Sequence, residues 1–553
     1  MKKRLVFTVM LVIVSTLGFS QTTWMVNNLA SWTQAVNGIR GGGNNKQHTI
    51  TVNGTISVPS SAESTFGYVS GVTVTIASNG TLSLSNNGSL LRIGARQTVI
   101  VRDITLQGRN TNNASVVIIA REGIFRMEGN ASVSGNSSSH NGGGVLVEGG
   151  TFIMQGSASV FDNTSNNDGG GVYVKSGTFA MQGNASVSGN ITNYFGRGGG
   201  VYVEGGTFAM HGSASVSGNT ASEGGGGGGV GSGTFTMQGN ASVSGNKSNS
   251  GGGVLVNESG IFTMQGNASV SGNTAGAGGG VFVSENGTFT MQDNASVSGN
   301  TAGGGGGVVV NHWRFFAGGE PSEIESKTTF IMRGNASISG NTSDNSGGGV
   351  SVNLGTFTMQ GSASVSGNKS NIQGGGVYVG ENGTFTKTSG TIYGDDAEQN
   401  LKNTVISRTG HAVYKSGNWR NISAGSTMNT GSRNFWLNDG NVVTFPSGFT
   451  MGQWNPPDDF NNYLFLTENT IILTNINRSS NSYTRSHLWV LQRISGNVYT
   501  FKRADAANTM TLTIRLEGRS LVISGDNGSD EISWNGTWQT FSEQMERYSA
   551  DDQ

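Results

Sequence analysis

The sequence predicts an all-β fold: a three-faced parallel β-solenoid with about 27 residues per coil, followed by a small antiparallel β-domain. Three observations carry that expectation. Variants of GGGVYVKSGTFAMQGNASVSGN, residues 169–190, return until about residue 395. The phenylalanine of each unit (Phe125, Phe152, Phe179, Phe208, Phe235, Phe262, Phe289, Phe330, Phe357 and Phe385) recurs at steps of 27, 27, 29, 27, 27, 27, 41, 27 and 28 residues, and such a period means stacked structural units. Glycine supplies 91 of 553 residues, well above the usual share of about 7%, yet it falls at regular intervals between strand-like runs, which argues for order.

The chain opens with Lys2, Lys3 and Arg4 before a mostly apolar run from Leu5 to Val14, with small residues at Gly18 and Ser20. This pattern reads as a secretory signal peptide over residues 1–20, so the mature chain is expected outside the cytoplasm. No later segment approaches the roughly 20 apolar residues of a membrane helix. Residues 21–124 read as an N-terminal cap with irregular coils. NLASWTQAVNGI, from Asn28, suits a short amphipathic helix that covers the first open rung, and HTITVNGTISV, GVTVTIASNGTLSLS and RQTVIVRDITLQG are strands with turn punctuation.

Residues 125–445 form the repeat solenoid with its terminal coils. Within one unit three short strands are expected, at Val172 to Val174, at Phe179 to Met181 and around Val187. Alternation places Phe179 and Met181 on one face and Val172 and Val174 on one face, so these point inward. A single coil cannot bury them, but stacked coils bury each against its equivalent above and below, at about 4.8 Å per strand. Asn136, Asn163, Asn190, Asn219, Asn246, Asn273, Asn300, Asn341 and Asn368 all follow the phenylalanine by eleven residues. A column of amides at one turn can hydrogen-bond along the axis as a ladder, and asparagine also tolerates left-handed turn geometry. The Gly-Gly-Gly triplets suit corners where a β-carbon would obstruct the coil below. GHAVYKSG, residues 410–417, resembles a degraded repeat and reads as a final coil.

Pro446, Pro456 and Pro457 mark a linker over residues 446–457. Residues 458–553 follow as a β-meander, with NTIILTNI, HLWVLQRI, NVYTFKRA, MTLTIRL and SLVISGD as successive strands. Its tryptophans read as core residues.

SGNTAGAGGGVFV (residues 271–283), SGNTASEGGGGGGV and SGNTSDNSGGGVSV resemble the repeats of bacterial polymorphic outer-membrane proteins, in which an Asn-containing turn precedes a Gly-Gly-small-aliphatic motif. The resemblance spans roughly residues 125–395. It implies a pectin-lyase-like right-handed parallel β-helix, a place on the outer cell surface and an adhesin-like role. Such proteins end in a membrane β-barrel, whereas the residues beyond 415 are too few and too polar for one, and the chain closes on YSADDQ.

Composition narrows the function. With no cysteine, disulfides, thiolate metal sites and a cysteine nucleophile are all excluded. The balance of 32 basic and 33 acidic residues provides no electrostatic footprint for nucleic acid. The repeat acids Glu148 and Glu204 occupy a turn position held elsewhere by Lys175, Asn257, Ser284 and Asn353, and read as solvated. Asp395, Asp396 and Glu398 in YGDDAEQN suit a turn or cap, with Asp395 in place of the turn asparagine, rather than a cation site. The six histidines show no metal-ligand spacing. The methionine column from Met127 to Met359 shares its face with the phenylalanines and reads as core rather than a copper path. No cofactor or metal is called for.

Two features remain as binding candidates. One is the outward position between the two valines, held by Leu146, Tyr173, Tyr202, Leu255, Phe282, Val309 and Tyr378 and interrupted at Gly231 and Ser351. It suits stacking against sugar rings or a partner protein, or simple packing between coils. The other is the insertion that makes the 41-residue step, where Trp313, Arg314, Phe315 and Phe316 have the composition of an interface hot spot. The expectation is a non-catalytic, secreted or surface protein that binds extracellular glycans or host and cell-surface proteins. The alternative is a carbohydrate-active β-helix enzyme, either a polysaccharide lyase or a glycoside hydrolase.

Overall fold

The computed structural model describes residues 21–311, 327–394, 398–406 and 412–415, together with strand segments between 452 and 540. The chain divides into two compact units, residues 1–248 and 249–553. Both contain right-handed parallel β-solenoid with about 27 residues per turn.

The first unit begins with the strand Thr22–Val26 and the helix Leu29–Gly41. Asn28 caps that helix reciprocally: its side chain accepts the Ser31 N–H, and the Ser31 hydroxyl accepts the Asn28 N–H. Trp32, Ala35, Val36 and Ile39 recur at helical spacing and form the buried face. Gly38 is a glycine because a β-carbon there would run into the Trp24 indole. Beneath the cap, His48 lies buried in the strand Gln47–Val52, on the inward side with Ile50 and Val52.

Eight rungs then stack, counted on the short second sheet from Thr55–Val58 to Ser242–Ser244. Their register is the one that the repeat predicts. Phe125, Phe152, Phe179, Phe208 and Phe235 are in-line partners, as are Met127, Met154, Met181, Met210 and Met237. The rings stack with centroids 5.4, 4.7, 4.7 and 4.5 Å apart. The second unit repeats this over five rungs, from Ser269–Ser271 to Thr391–Ile392. Phe289 pairs with Phe330 across the 41-residue step without loss of register, at 4.8 Å.

Two details differ from the expectation. The valine and phenylalanine runs of one coil belong to the same sheet, and in Val172–Met181 they are a single ten-residue strand. The one glycine within it, Gly177, takes a positive φ of 94° without ending the strand. The third face is a short strand after the asparagine, such as Ile191–Thr192. The left-handed residue at this corner is the glycine before the asparagine, as at Gly189 (φ 64°) and Gly218 (φ 64°). This leaves the asparagine free to point inward.

The amide ladder forms as predicted. In the first unit Asn163, Asn190 and Asn219 each donate to the next amide oxygen, at 3.1, 3.0 and 3.0 Å, the last of them to Asn246. In the second, Asn273, Asn300, Asn341 and Asn368 do so at 2.9 Å each, ending on Asn403. The last ladder position is therefore Asn403 rather than Asp395, which lies outside the described residues with Asp396. The glycine triplets form the remaining corner, where a β-carbon on Gly171 would lie 2.7 Å from the Gly200 carbonyl oxygen.

Val413–Lys415 pairs with Val377–Lys387 and continues the long sheet of the second unit. A separate antiparallel sheet of seven strands runs in sequence order from Asn462–Leu466 to Glu531–Thr537, the meander anticipated at this end.

Candidate functional site

The outward column lies on the back of the long sheet. In the first unit Tyr173 and Tyr202 are register partners between inward valines, and their rings stack at 6.0 Å and 14°. Neither is an open platform: Tyr173 is 5% exposed and Tyr202 1%. Each is covered by the glycine corner of its own coil, since β-carbons on Gly169 and Gly198 would lie 2.8 and 2.7 Å from the Cβ atoms of Tyr173 and Tyr202. The next position is Gly229, not Gly231, because Val230 pairs with Val203. The Tyr202 ring fills the space there, and a β-carbon on Gly229 would meet its Cδ2 at 2.7 Å.

Charged groups fasten this cover. The Arg197 guanidinium lies over the Tyr202 ring, 4.6 Å from its centroid, an attractive cation–π geometry. Arg197 also bridges to Asp168 at 3.3 Å, and its backbone N–H donates to the same carboxylate at 2.8 Å. The Tyr173 hydroxyl donates to Glu204 at 2.6 Å. Burial, followed by this bond to Glu204, pushes the Tyr173 phenol well above its ordinary value, so it remains a protonated donor. Glu204 is an exposed turn residue as expected, but its carboxylate is also engaged.

In the second unit Leu255, Phe282 and Val309 pack into one buried cluster, with Ala277 against it and Phe282 7% exposed. Ser351 follows, also buried. Tyr378 is half-buried and stacks on Tyr414 at 5.8 Å. Tyr173 and Tyr202 are thus brought together, as are Phe282 and its neighbours, in each case as packing between coils. Trp313, Arg314, Phe315 and Phe316 lie outside the described residues.

Asp168 and Arg197 were not singled out by the repeat pattern, although a signal exists. Each immediately precedes a glycine triplet in adjacent coils (NDGGG and GRGGG), so stacking must place opposite charges side by side. Chemically the cluster is a brace: each carboxylate is committed to a donor and the phenol holds its proton. Among the described residues no three His, Asp or Glu side chains gather as a metal-ligand set. The chain matches no protein-family model and no curated protein.

Proposed function

We propose that this chain is an exported, non-catalytic β-helix protein of the polymorphic outer-membrane protein type, adhesin-like, whose rigid solenoid displays binding elements to extracellular glycans or surface proteins. One observation carries this reading: the two acids that lie against the outward tyrosines are tied to neighbours (Glu204 to Tyr173, Asp168 to Arg197) and so fasten the surface. Acid–base chemistry on a glycosidic bond needs a pair of carboxylates flanking the bond. The low share of charged residues, 12%, fits a long and nearly neutral surface. The carbohydrate-active enzyme is the second reading, favoured by the gathering of Asp168, Glu204 and Arg197 on one face.

The test is binding of the purified mature chain to immobilised glycans and extracellular-matrix proteins, with release of reducing ends or unsaturated sugars followed on the same glycans. Saturable binding without cleavage is expected. Cleavage that disappears in Glu204→Gln or Asp168→Asn would replace this reading with the enzymatic one.

A further inference from the structure

The coil between Phe179 and Phe208 is two residues longer than its neighbours, and the extra length lies in ITNYFGRGGG, residues 191–200. The structure places Tyr194 and Phe195 at the tip of this coil with 74% and 85% of their surface exposed, beside the exposed Ile191. Tyr194 is held at φ 50°, a left-handed conformation that costs a bulky residue energy and that glycine would adopt freely. A strained backbone at an exposed aromatic points to a use for the ring, because folding alone would favour another residue there.

The tip is anchored. The Thr192 hydroxyl donates to the Gly196 carbonyl at 2.9 Å, and the Gly196 N–H reaches the Asn193 carbonyl at 2.9 Å and the Ser222 hydroxyl at 3.0 Å. The Asn193 N–H is held by the Ser165 carbonyl at 2.9 Å, and its amide donates to Asn166 in the coil below at 3.2 Å. The rings therefore project from a fixed turn and lose little freedom on binding. The polar side chains bonded into this turn are uncharged amides and hydroxyls (Asn166, Thr192, Asn193 and Ser222); of the charged residues around it, Asp168 and Arg197 pair with each other, and Glu223 meets the turn through its backbone N–H, which donates to the Gly196 carbonyl at 3.1 Å.

We infer that Tyr194 and Phe195 form a stacking site for a neutral oligosaccharide, with the amides of Asn193 and Asn166 beside them to bond its hydroxyls. The apolar faces of sugar rings pack on aromatic rings, and a polyhydroxy ligand matches amides and hydroxyls better than charges. This inference rests on the surface-binding reading above and assigns it a place and a ligand class.

The experiment titrates cello-, laminari-, manno- and chito-oligosaccharides into the full mature chain by calorimetry, beside Tyr194→Gly, Phe195→Ala and, as a control at a distant exposed aromatic, Tyr68→Ala. Immobilised matrix proteins are probed in parallel, and thermal stability is measured for every variant. The expected result is that at least one series binds, that Tyr194→Gly and Phe195→Ala each weaken it about tenfold or more, and that Tyr68→Ala leaves it unchanged. Tyr194→Gly should unfold no earlier than the parent, since glycine relieves the left-handed strain, so loss of binding cannot be put down to misfolding. Equal affinity in both turn variants overturns the site while the surface-binding reading stands. Binding to matrix proteins but to no neutral oligosaccharide overturns the ligand class in the same way, and binding to neither overturns both.

Discussion

Replacing Phe179 with alanine tests the stacked core directly. The ring is fully buried and lies between Phe152 and Phe208, with both centroids at 4.7 Å and interplanar angles of 8° and 5°. A phenylalanine buries about 200 Å², most of it on the ring. At about 25 cal/mol per Å², truncation forfeits about 3 kcal/mol of transfer energy, and the two lost stacking contacts add about 1 to 2 kcal/mol. The cavity cannot be closed by moving the neighbours, because Thr178 to Met181 are held by backbone pairing to the coils on either side. We therefore expect a loss of about 5 kcal/mol, at the upper end for buried phenylalanines. Each coil is supported by its neighbours, so the loss should appear as faster amide exchange in the adjacent coils as well as a lower midpoint in urea. Ala180→Ser, on the outward side of the same strand, should change stability by less than about 0.5 kcal/mol. A Phe179→Ala loss below about 1 kcal/mol would refute the stacked register.

Two further outcomes follow from buried polar groups. Asn190 accepts the Asn163 N–H at 3.0 Å, and its amide donates to the Val160 and Ser188 carbonyls, both at 3.0 Å, as well as to Asn219; Asn190→Ala leaves several buried groups unpaired at roughly 1 to 3 kcal/mol each, so a loss of about 4 kcal/mol or more is expected in urea denaturation. His48 is buried with neither ring nitrogen hydrogen-bonded, and burial, with Lys46 adding to it, holds its imidazole below the ordinary value of about 6.5. The unfolded chain then binds the proton more readily, so stability is complete above pH 6.5 or so and falls as the pH drops from there towards the folded value, by at most about 1.4 kcal/mol per pH unit; His48→Phe should flatten this slope in amide exchange of the helix Leu29–Gly41.

Legibility differed between the inside and the outside of the solenoid. Phe179, Met181 and Val187 could be placed from the sequence because each must meet its own copy one coil away, which forces the pattern to repeat. Asn190 was legible for the same reason, since an amide column satisfies itself only if every coil supplies an amide. The ladder's last member was not, because Asn403 stands 35 residues after Asn368, beyond the period. The outward direction of Tyr173 and Tyr202 followed from alternation, but their burial did not. It depends on the glycine corner of the same coil folding back over each ring and on the Asp168–Arg197 pair, which joins a 27-residue coil to the 29-residue one. Tyr194 and Phe195 stand out little in the sequence because a two-residue excess is small beside the 14-residue one, although only the smaller excess lies among described residues.

That contrast bears on where recognition resides. A substitution on an inward column disturbs three coils at once, so these positions are held to a few residue types and carry little information about a ligand. Outward positions on the short second sheet are nearly as uniform, with Ser186, Ser215 and Ser242 in register, and a uniform hydroxyl face offers a ligand no unique address. Distinct chemistry enters where a coil departs from its neighbours in length or charge. In the first unit the departures coincide: the 29-residue coil carries Arg197 to pair with Asp168, supplies the Tyr202 beneath that arginine, and lifts Tyr194 and Phe195 into solvent on a turn that glycine would occupy more cheaply. Glycine would occupy that turn at lower backbone cost, so comparing Tyr194→Gly with the parent separates what the ring does for binding from what it does for folding.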